Sequence, residues 1–189
     1  MSLHEIVLAQ TKPATEWVRG RALQKIRGDG LHAALQGQLA IAFIGWAARG
    51  LHGRVAVEWR FRVAPPGKIV RPLVPDLAYV SYGALGHEAS DEDVAVPLGA
   101  PTVAAYIIAA EDLSEDVDDR IATLLEAGTS AVMIVDPKRE TIAVHGDGHG
   151  TGHESNPVTY GRCGGELLKH DSLPGFALEV AELFVRAKR

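Results

Sequence analysis

One cysteine, Cys163, stands in 189 residues. No internal disulfide can form and no cysteine-rich metal site exists, which fits a reducing, cytoplasmic setting. Long apolar runs are scarce too. The patch Ile6 to Ala9 lacks the long apolar continuation of a secretory leader. The later run Leu39 to Ala48 is interrupted by Gly45 and reads as too short to span a bilayer. Surplus positive charge is absent: 19 Lys and Arg face 24 Asp and Glu, a net charge of -5. That excludes a whole-protein electrostatic funnel for nucleic acid and leaves only local patches. Two basic intervals exist, one with Arg19, Arg21, Lys25 and Arg27, the other with Arg60, Arg62, Lys68 and Arg71. Both read as solvated surface. There is no glycine-rich dinucleotide fingerprint, no phosphate-binding loop and no internal repeat.

What is present suits one globular domain over residues 1–189, with 47% hydrophobic and 23% charged residues. Leu31, Leu35, Leu39, Phe43 and Trp46 recur every three or four residues. They predict a core-facing helix from Gly28 to Arg49, opened by Gly28 or Asp29 and closed by Gly50. Val55, Val57, Trp59, Phe61 and Val63 alternate with polar residues, the period of a half-buried strand. Ala64 to Lys68 reads as a turn and Ile69 to Arg71 as the return strand. Leu73 to Val80 reads as a strand entered through Pro75, and Gly83 to Pro97 as an irregular, mobile loop with a solvated acidic cluster. Thr102 to Ala109 is expected as a central strand. Glu111 to Gly128 then forms a helix with Ser114 as its cap and Val117, Ile121, Leu124 and Leu125 on its apolar face. Ala131–Asp136 and Thr141–Val144 form a hairpin at the sheet edge. Near the terminus, Leu173 to Val180 is a turn and short strand, and Ala181 to Phe184 a last helical turn. This order predicts an α/β fold with a mixed sheet flanked by helices.

Three histidines, His145, His149 and His153, lie at four-residue intervals in a glycine-rich stretch with Asp147 and Glu154. On a helix they would share a face; among glycines the spacing loses that meaning. An exposed loop is the reading they favour, with a zinc-binding module as the alternative. Cys163 with His149 or His153 lacks a sequence that would hold a thiolate or build an oxyanion hole. His32, beside the apolar stripe, reads as a helix-surface histidine, with a pocket-lining position as the alternative.

Five short segments add a resemblance: Val74-Pro75-Asp76-Leu77-Ala78-Tyr79-Val80, Pro101 to Ile108, Leu125 to Gly128, Ile134-Val135-Asp136-Pro137, and Leu173-Pro174-Gly175-Phe176. In order and spacing the chain from Gly28 onward resembles the putative restriction endonuclease family abundant in cyanobacteria and actinobacteria, within the PD-(D/E)XK nuclease superfamily. The resemblance implies a restriction-endonuclease-like mixed sheet flanked by helices and metal-dependent phosphodiester hydrolysis. Paired carboxylates would hold Mg²⁺ or Mn²⁺ beside the scissile phosphate of DNA.

Asp76 matches the family's first metal-binding aspartate. The family's glutamate on the central strand is Tyr106 here, a phenol that stays protonated near pH 7. The family's helix lysine is matched by Arg120, which can contact phosphate but is a poor proton acceptor. Its serine-proline is Ala109-Ala110. Glu58, on the polar face of its strand, is the spare carboxylate that would join Asp76 on the metal. Asp116 and Arg120, four apart, read as a surface ion pair, with Glu111, Asp112, Asp118 and Asp119 solvated around them. An aspartate at a strand start also caps backbone amides without any chemistry. The losses cluster where chemistry is expected while the apolar framework persists. Three functions are carried: a divalent-metal nuclease, active or degenerate, using Asp76, Glu58 and Arg120; a non-catalytic binding or homodimeric module on the same fold; and, last, a zinc-binding module on the His145 to Glu154 loop.

Overall fold

The structure is a computed structural model that describes residues 4–26, 28–146, 156–162, 165 and 167–189. Asp147, His149, His153, Glu154 and Cys163 lie outside them.

The chain begins with a hairpin that the sequence reading missed, β1 (Thr15–Val18) and β2 (Arg21–Gln24). Its two-residue turn, Arg19-Gly20, has positive φ at both positions, 48° and 76°. That turn matches the right-handed twist of the strands it joins. Helix α1 (Gly30–Gly50) follows. Asp29 caps it by accepting the His32 N–H at 2.8 Å, satisfying one of the free amides of a helix start. It ends through Leu51 in the left-handed conformation rather than at Gly50.

The single strand expected from Val55 to Val63 is two strands, β3 (Gly53–Val57) and β4 (Phe61–Val63). The break falls at Glu58, whose φ is 50°. β5 (Arg71–Leu73) pairs with β4, and β6 (Leu77–Ser81) returns beside β3. The expected strand Leu73 to Val80 is therefore divided by a corner at Val74-Pro75-Asp76. The segment read as an irregular loop contains α2 (Asp91–Ala95), capped by the Ser90 hydroxyl. Asp91, Glu92 and Asp93 occupy its first turn, where negative charge meets the helix dipole favourably. Arg54 donates to the carbonyls of Leu85, Gly86 and His87 and holds this segment to the sheet.

β7 (Val103–Ile107) leads into α3 (Ser114–Glu126) and then β8 (Ala131–Asp136), β9 (Thr141–His145), β10 (Val158–Gly161), β11 (Leu167–Leu168), β12 (Leu178–Glu179) and α4 (Val180–Ala187). Leu113, not Ser114, takes the cap position of α3, with no side-chain cap bond. Ahead of the helix, the Asp112 carboxylate accepts the Ala109 N–H.

The main sheet has six strands in the order β10-β9-β8-β7-β6-β3. Among its described strands only β7 and β8 run parallel, joined by the crossover helix α3, as parallel neighbours require. β10 lies outside the β8–β9 hairpin, so that hairpin is not the edge that was expected. The strands alternate strictly between two cores. Leu77, Tyr79, Val103, Ala105, Ile107, Met133 and Val135 pack under α1 and α4. Ala78, Val80, Ala104, Tyr106, Val132 and Ile134 face α3 and the two small hairpins. The mixed α/β architecture is as the sequence predicts.

The run read as too short to span a bilayer lies inside α1, which has the length and a mean hydropathy, 1.2, sufficient for a membrane span. One stripe of it faces the core, with Leu35, Leu39, Phe43 and Trp46 buried; 28% of the apolar stretch is buried in all. Trp46 Nε1 donates to Pro174 O at 2.9 Å.

Candidate functional site

The site lies where the N-terminal hairpin meets the open end of the β6–β7 ladder. Asp76 sits one residue before β6, on the corner that turns the chain in from β5. Its side chain is 2% exposed. Asp76 Oδ2 accepts the Ile107 N–H at 2.7 Å, so this carboxylate does cap a strand amide. Its other oxygen, Oδ1, meets Lys25 Nζ at 2.5 Å and His32 Nε2 at 3.4 Å. Burial pushes the Asp76 carboxyl up, but the His32 hydrogen bond, the Lys25 charge and hydrogen bond, and the Ile107 amide outweigh it. The pKa is held down to about 2.

Lys25 follows the last residue of β2. It reads as surface in sequence, yet its side chain is only 10% exposed. Its ammonium reaches Asp76 Oδ1, Val74 O at 3.0 Å and Glu58 Oε1 at 3.2 Å. Burial pushes Lys25 down, while Asp76, Glu16 and Glu58 hold it above its ordinary value, so it stays charged.

Glu58 reaches the ammonium because of the left-handed bend between β3 and β4. Gln36, on the site-facing side of α1, ties the group together by donating to Asp76 O at 2.8 Å and Glu58 Oε1 at 3.3 Å. His32, one helical turn earlier, is not simply a surface histidine. The Asp76 hydrogen bond raises its pKa more than partial burial lowers it.

A second group lies deeper. Glu16, on β1, is completely buried. Its Oε1 accepts the Val74 N–H at 2.7 Å and the Tyr106 hydroxyl at 3.0 Å, and its Oε2 accepts Arg120 Nε at 2.8 Å. Arg120 is therefore paired with Glu16, not with Asp116. Asp116 is itself buried and takes a two-pronged bond from Arg21, at 3.1 and 2.8 Å. The surface pair expected from their spacing is replaced because the unforeseen hairpin covers this face of α3. Burial, followed by the Glu16 charge, pushes the Tyr106 phenol well above its ordinary value. It stays a neutral donor. Lys25, His32, Asp76, Tyr106, Asp112 and Arg120 line a small pocket between the groups.

The structure thus brings Asp76 and Glu58 to one cation and leaves Arg120 one layer below, engaged with Glu16. Sequence reasoning missed Glu16, Lys25 and Gln36, and ranked the pocket position of His32 below a surface one. The hairpin carries the first two, and the signal was two four-residue stretches about an Arg-Gly turn. A divalent metal needs carboxylate oxygens free to coordinate it. Here both Asp76 oxygens are engaged, Glu58 Oε1 is shared by Lys25 and Gln36, and the second carboxylate of the family pattern is a phenol. Among the described residues no group of three His, Cys, Asp or Glu is arranged to hold a metal ion. With Lys25 in place, these residues do not fit a divalent-metal centre.

The two basic intervals prove largely neutralised. Arg19 and Arg21 face Asp116, Arg71 pairs with Asp119, Arg62 with Glu5 and Lys68 with Glu126. Arg60 instead donates to the carbonyls of Ala9 and Thr15, and Arg27 lies outside the described residues. Of the histidine trio only His145 is described. It ends β9, where burial lowers its pKa.

Residues 2–181 match the model of the Uma2 family, described as putative restriction endonuclease. A crystal structure of a putative nuclease from Anabaena variabilis superposes with a TM-score of 0.79. It is 18% identical, and the match covers 95% of this chain and 94% of that one. At that identity the likeness concerns the fold. No curated protein matches.

Proposed function

The chain belongs to the Uma2 family of putative restriction endonucleases, and from that premise we propose that it is a non-catalytic member. It is one nuclease-fold domain over residues 1–189, working in the cytoplasm as a protein–protein module with a second copy of itself as partner. The observation that carries this reading is the Lys25 ammonium, seated on Asp76 Oδ1 and Glu58 Oε1. A hydrolytic metal would need those oxygens. Tyr106 and Arg120 extend the argument. A neutral phenol stands in place of the second carboxylate, and a guanidinium tied to Glu16 in place of a mobile lysine. In this reading Asp76 and Glu58 are acceptors for an internal cation, and Arg120 is a structural charge.

Two observations favour a protein partner over DNA. The net charge is -5, and most basic side chains of the two intervals are committed to carboxylates. The outer face of α1 meanwhile exposes Ile41, Ile44 and the flanking Leu51, at 65%, 50% and 74%. Arg49 is the only Lys, Arg, Asp or Glu in Gly30–Gly50. A surface helix this poor in charge is the kind a partner covers.

The test incubates metal-free protein with single- and double-stranded DNA, with and without Mg²⁺ or Mn²⁺, beside Asp76→Ala. The reading predicts no cleavage under any of these conditions. Cleavage that needs both the metal and Asp76 would contradict it and restore the nuclease assignment of Asp76, Glu58 and Arg120.

A further inference from the structure

Three oxygens converge on one nitrogen. Asp76 Oδ1, Val74 O and Glu58 Oε1 lie 2.5, 3.0 and 3.2 Å from Lys25 Nζ, one acceptor for each ammonium proton. Two of them, Val74 O and Asp76 Oδ1, stand on the corner before β6. The third comes from the left-handed bend at Glu58. Two carboxylate oxygens and a backbone carbonyl make an all-oxygen donor set, the kind hard cations take.

We propose that this cage is a hard-cation site whose resident cation is the Lys25 ammonium, tethered there by the β1–β2 hairpin, and that neutralising residue 25 turns it into a divalent-cation site. The inference rests on the non-catalytic reading and adds to it a specific cause: occupancy by Lys25, not the absence of a suitable cage.

The surrounding contacts make the exchange local. The hairpin is anchored independently of Lys25, through Glu16 to Val74, Tyr106 and Arg120, and through Arg21 to Asp116. Loss of the ammonium therefore leaves the hairpin in place. Gln36 still holds the Asp76 carbonyl and the Glu58 carboxylate from α1. Divalent cations bind oxygen at roughly 2.0–2.6 Å, closer than an ammonium does. The half-exposed Glu58 side chain, at 46%, has room to draw in. Without Lys25 two carboxylates remain, offset on Asp76 Oδ1 by His32 at 3.4 Å, and the negative charge left over favours an incoming cation.

The experiment titrates Mn²⁺ calorimetrically at pH 7.5 into the full chain, as wild type, Lys25→Met, Lys25→Gln and Lys25→Met/Asp76→Asn. Thermal melts establish that each is folded. Expected is one Mn²⁺ bound by Lys25→Met at least tenfold more tightly than by wild type, with a rise in melting temperature on adding Mn²⁺. The double variant should return to wild-type behaviour. If the folded Lys25→Met and Lys25→Gln chains bind no more tightly than wild type, the cage is not a cation site and the inference falls, while the non-catalytic reading stands. If wild type binds as tightly as Lys25→Met through Asp76, the ammonium is not the occupant, and the inference and the non-catalytic reading both fail.

Discussion

Tyr106 donates its hydroxyl to Glu16 across 3.0 Å, from the central strand of the sheet to a hairpin ninety residues earlier. The contact joins the position where the family pattern expects a carboxylate to a carboxylate supplied from elsewhere in the chain. Glu16 does not restore the metal ligand, because its oxygens are taken by Val74, Tyr106 and Arg120. It converts that position into a buried, neutralised structural group.

Glu16→Ala should therefore be among the most damaging substitutions. It strands Arg120, 4% exposed, without its carboxylate, and breaking a buried pair from one side costs about 3–5 kcal/mol. Adding Arg120→Met should recover most of that loss. Tyr106→Phe removes one hydrogen bond and should cost only about 1 kcal/mol. Urea denaturation of the four chains checks the order.

Stability should depend on pH at two ends. The His32 pKa is raised by Asp76, so its contribution is complete below the unfolded value of about 6.5. It is lost as pH rises through the folded value. The Asp76 pKa is lowered to about 2, so its contribution is complete above about 4 and is lost as pH falls toward 2. His32→Asn should flatten the loss that sets in as pH rises above about 6.5. It should also shift the acid limb upward, because one group that holds Asp76 ionised is gone. Denaturation midpoints from pH 2 to 9 measure both limbs.

Glu58 carries a left-handed backbone, φ 50°, which glycine adopts freely and β-branched residues resist. Glu58→Gly and Glu58→Val both remove the carboxylate from Lys25. The valine chain should be the less stable by roughly 1–2 kcal/mol. Equal stabilities would mean that the bend carries no backbone strain.

If the outer face of α1 is the contact between two copies, Ile44→Glu should lower the mass measured by light scattering from dimer to monomer. An exposed position away from special features changes folding stability by less than about 0.5 kcal/mol, so the melting temperature of the separated chain should barely move. A wild-type mass of one chain at micromolar concentration would remove the partner from the account.

Periodicity carried the long elements. The stripe from Leu31 to Trp46 and the apolar runs at Val103 and Ala131 report local burial, which a sequence states directly. The site was legible only where the family resemblance reached it: Asp76 and Tyr106 were singled out by the family positions they occupy, beside and on those strands. Lys25 and Glu16 were not, because their meaning depends on where a short hairpin docks. A four-residue strand has too few residues for its period to stand out. Glu58 was found as a carboxylate but placed on a continuous strand, since a left-handed bend at a glutamate leaves no trace in composition. The Asp116–Arg120 spacing suggested a pair because helical geometry puts them within reach; tertiary partners at shorter distance took each of them away.

The central claim is that the Lys25 ammonium is the cation of this site, and a pH titration of the chain labelled with ¹³C at lysine Cε observes it directly. Lys25, assigned by its absence in Lys25→Met, should remain charged past the ordinary lysine value of about 10.4. Asp76→Asn should bring its titration down, because burial then acts with less opposing charge. A Lys25 resonance that titrates like the exposed lysines and ignores Asp76→Asn would show that the ammonium lies in solvent, and the account would fail.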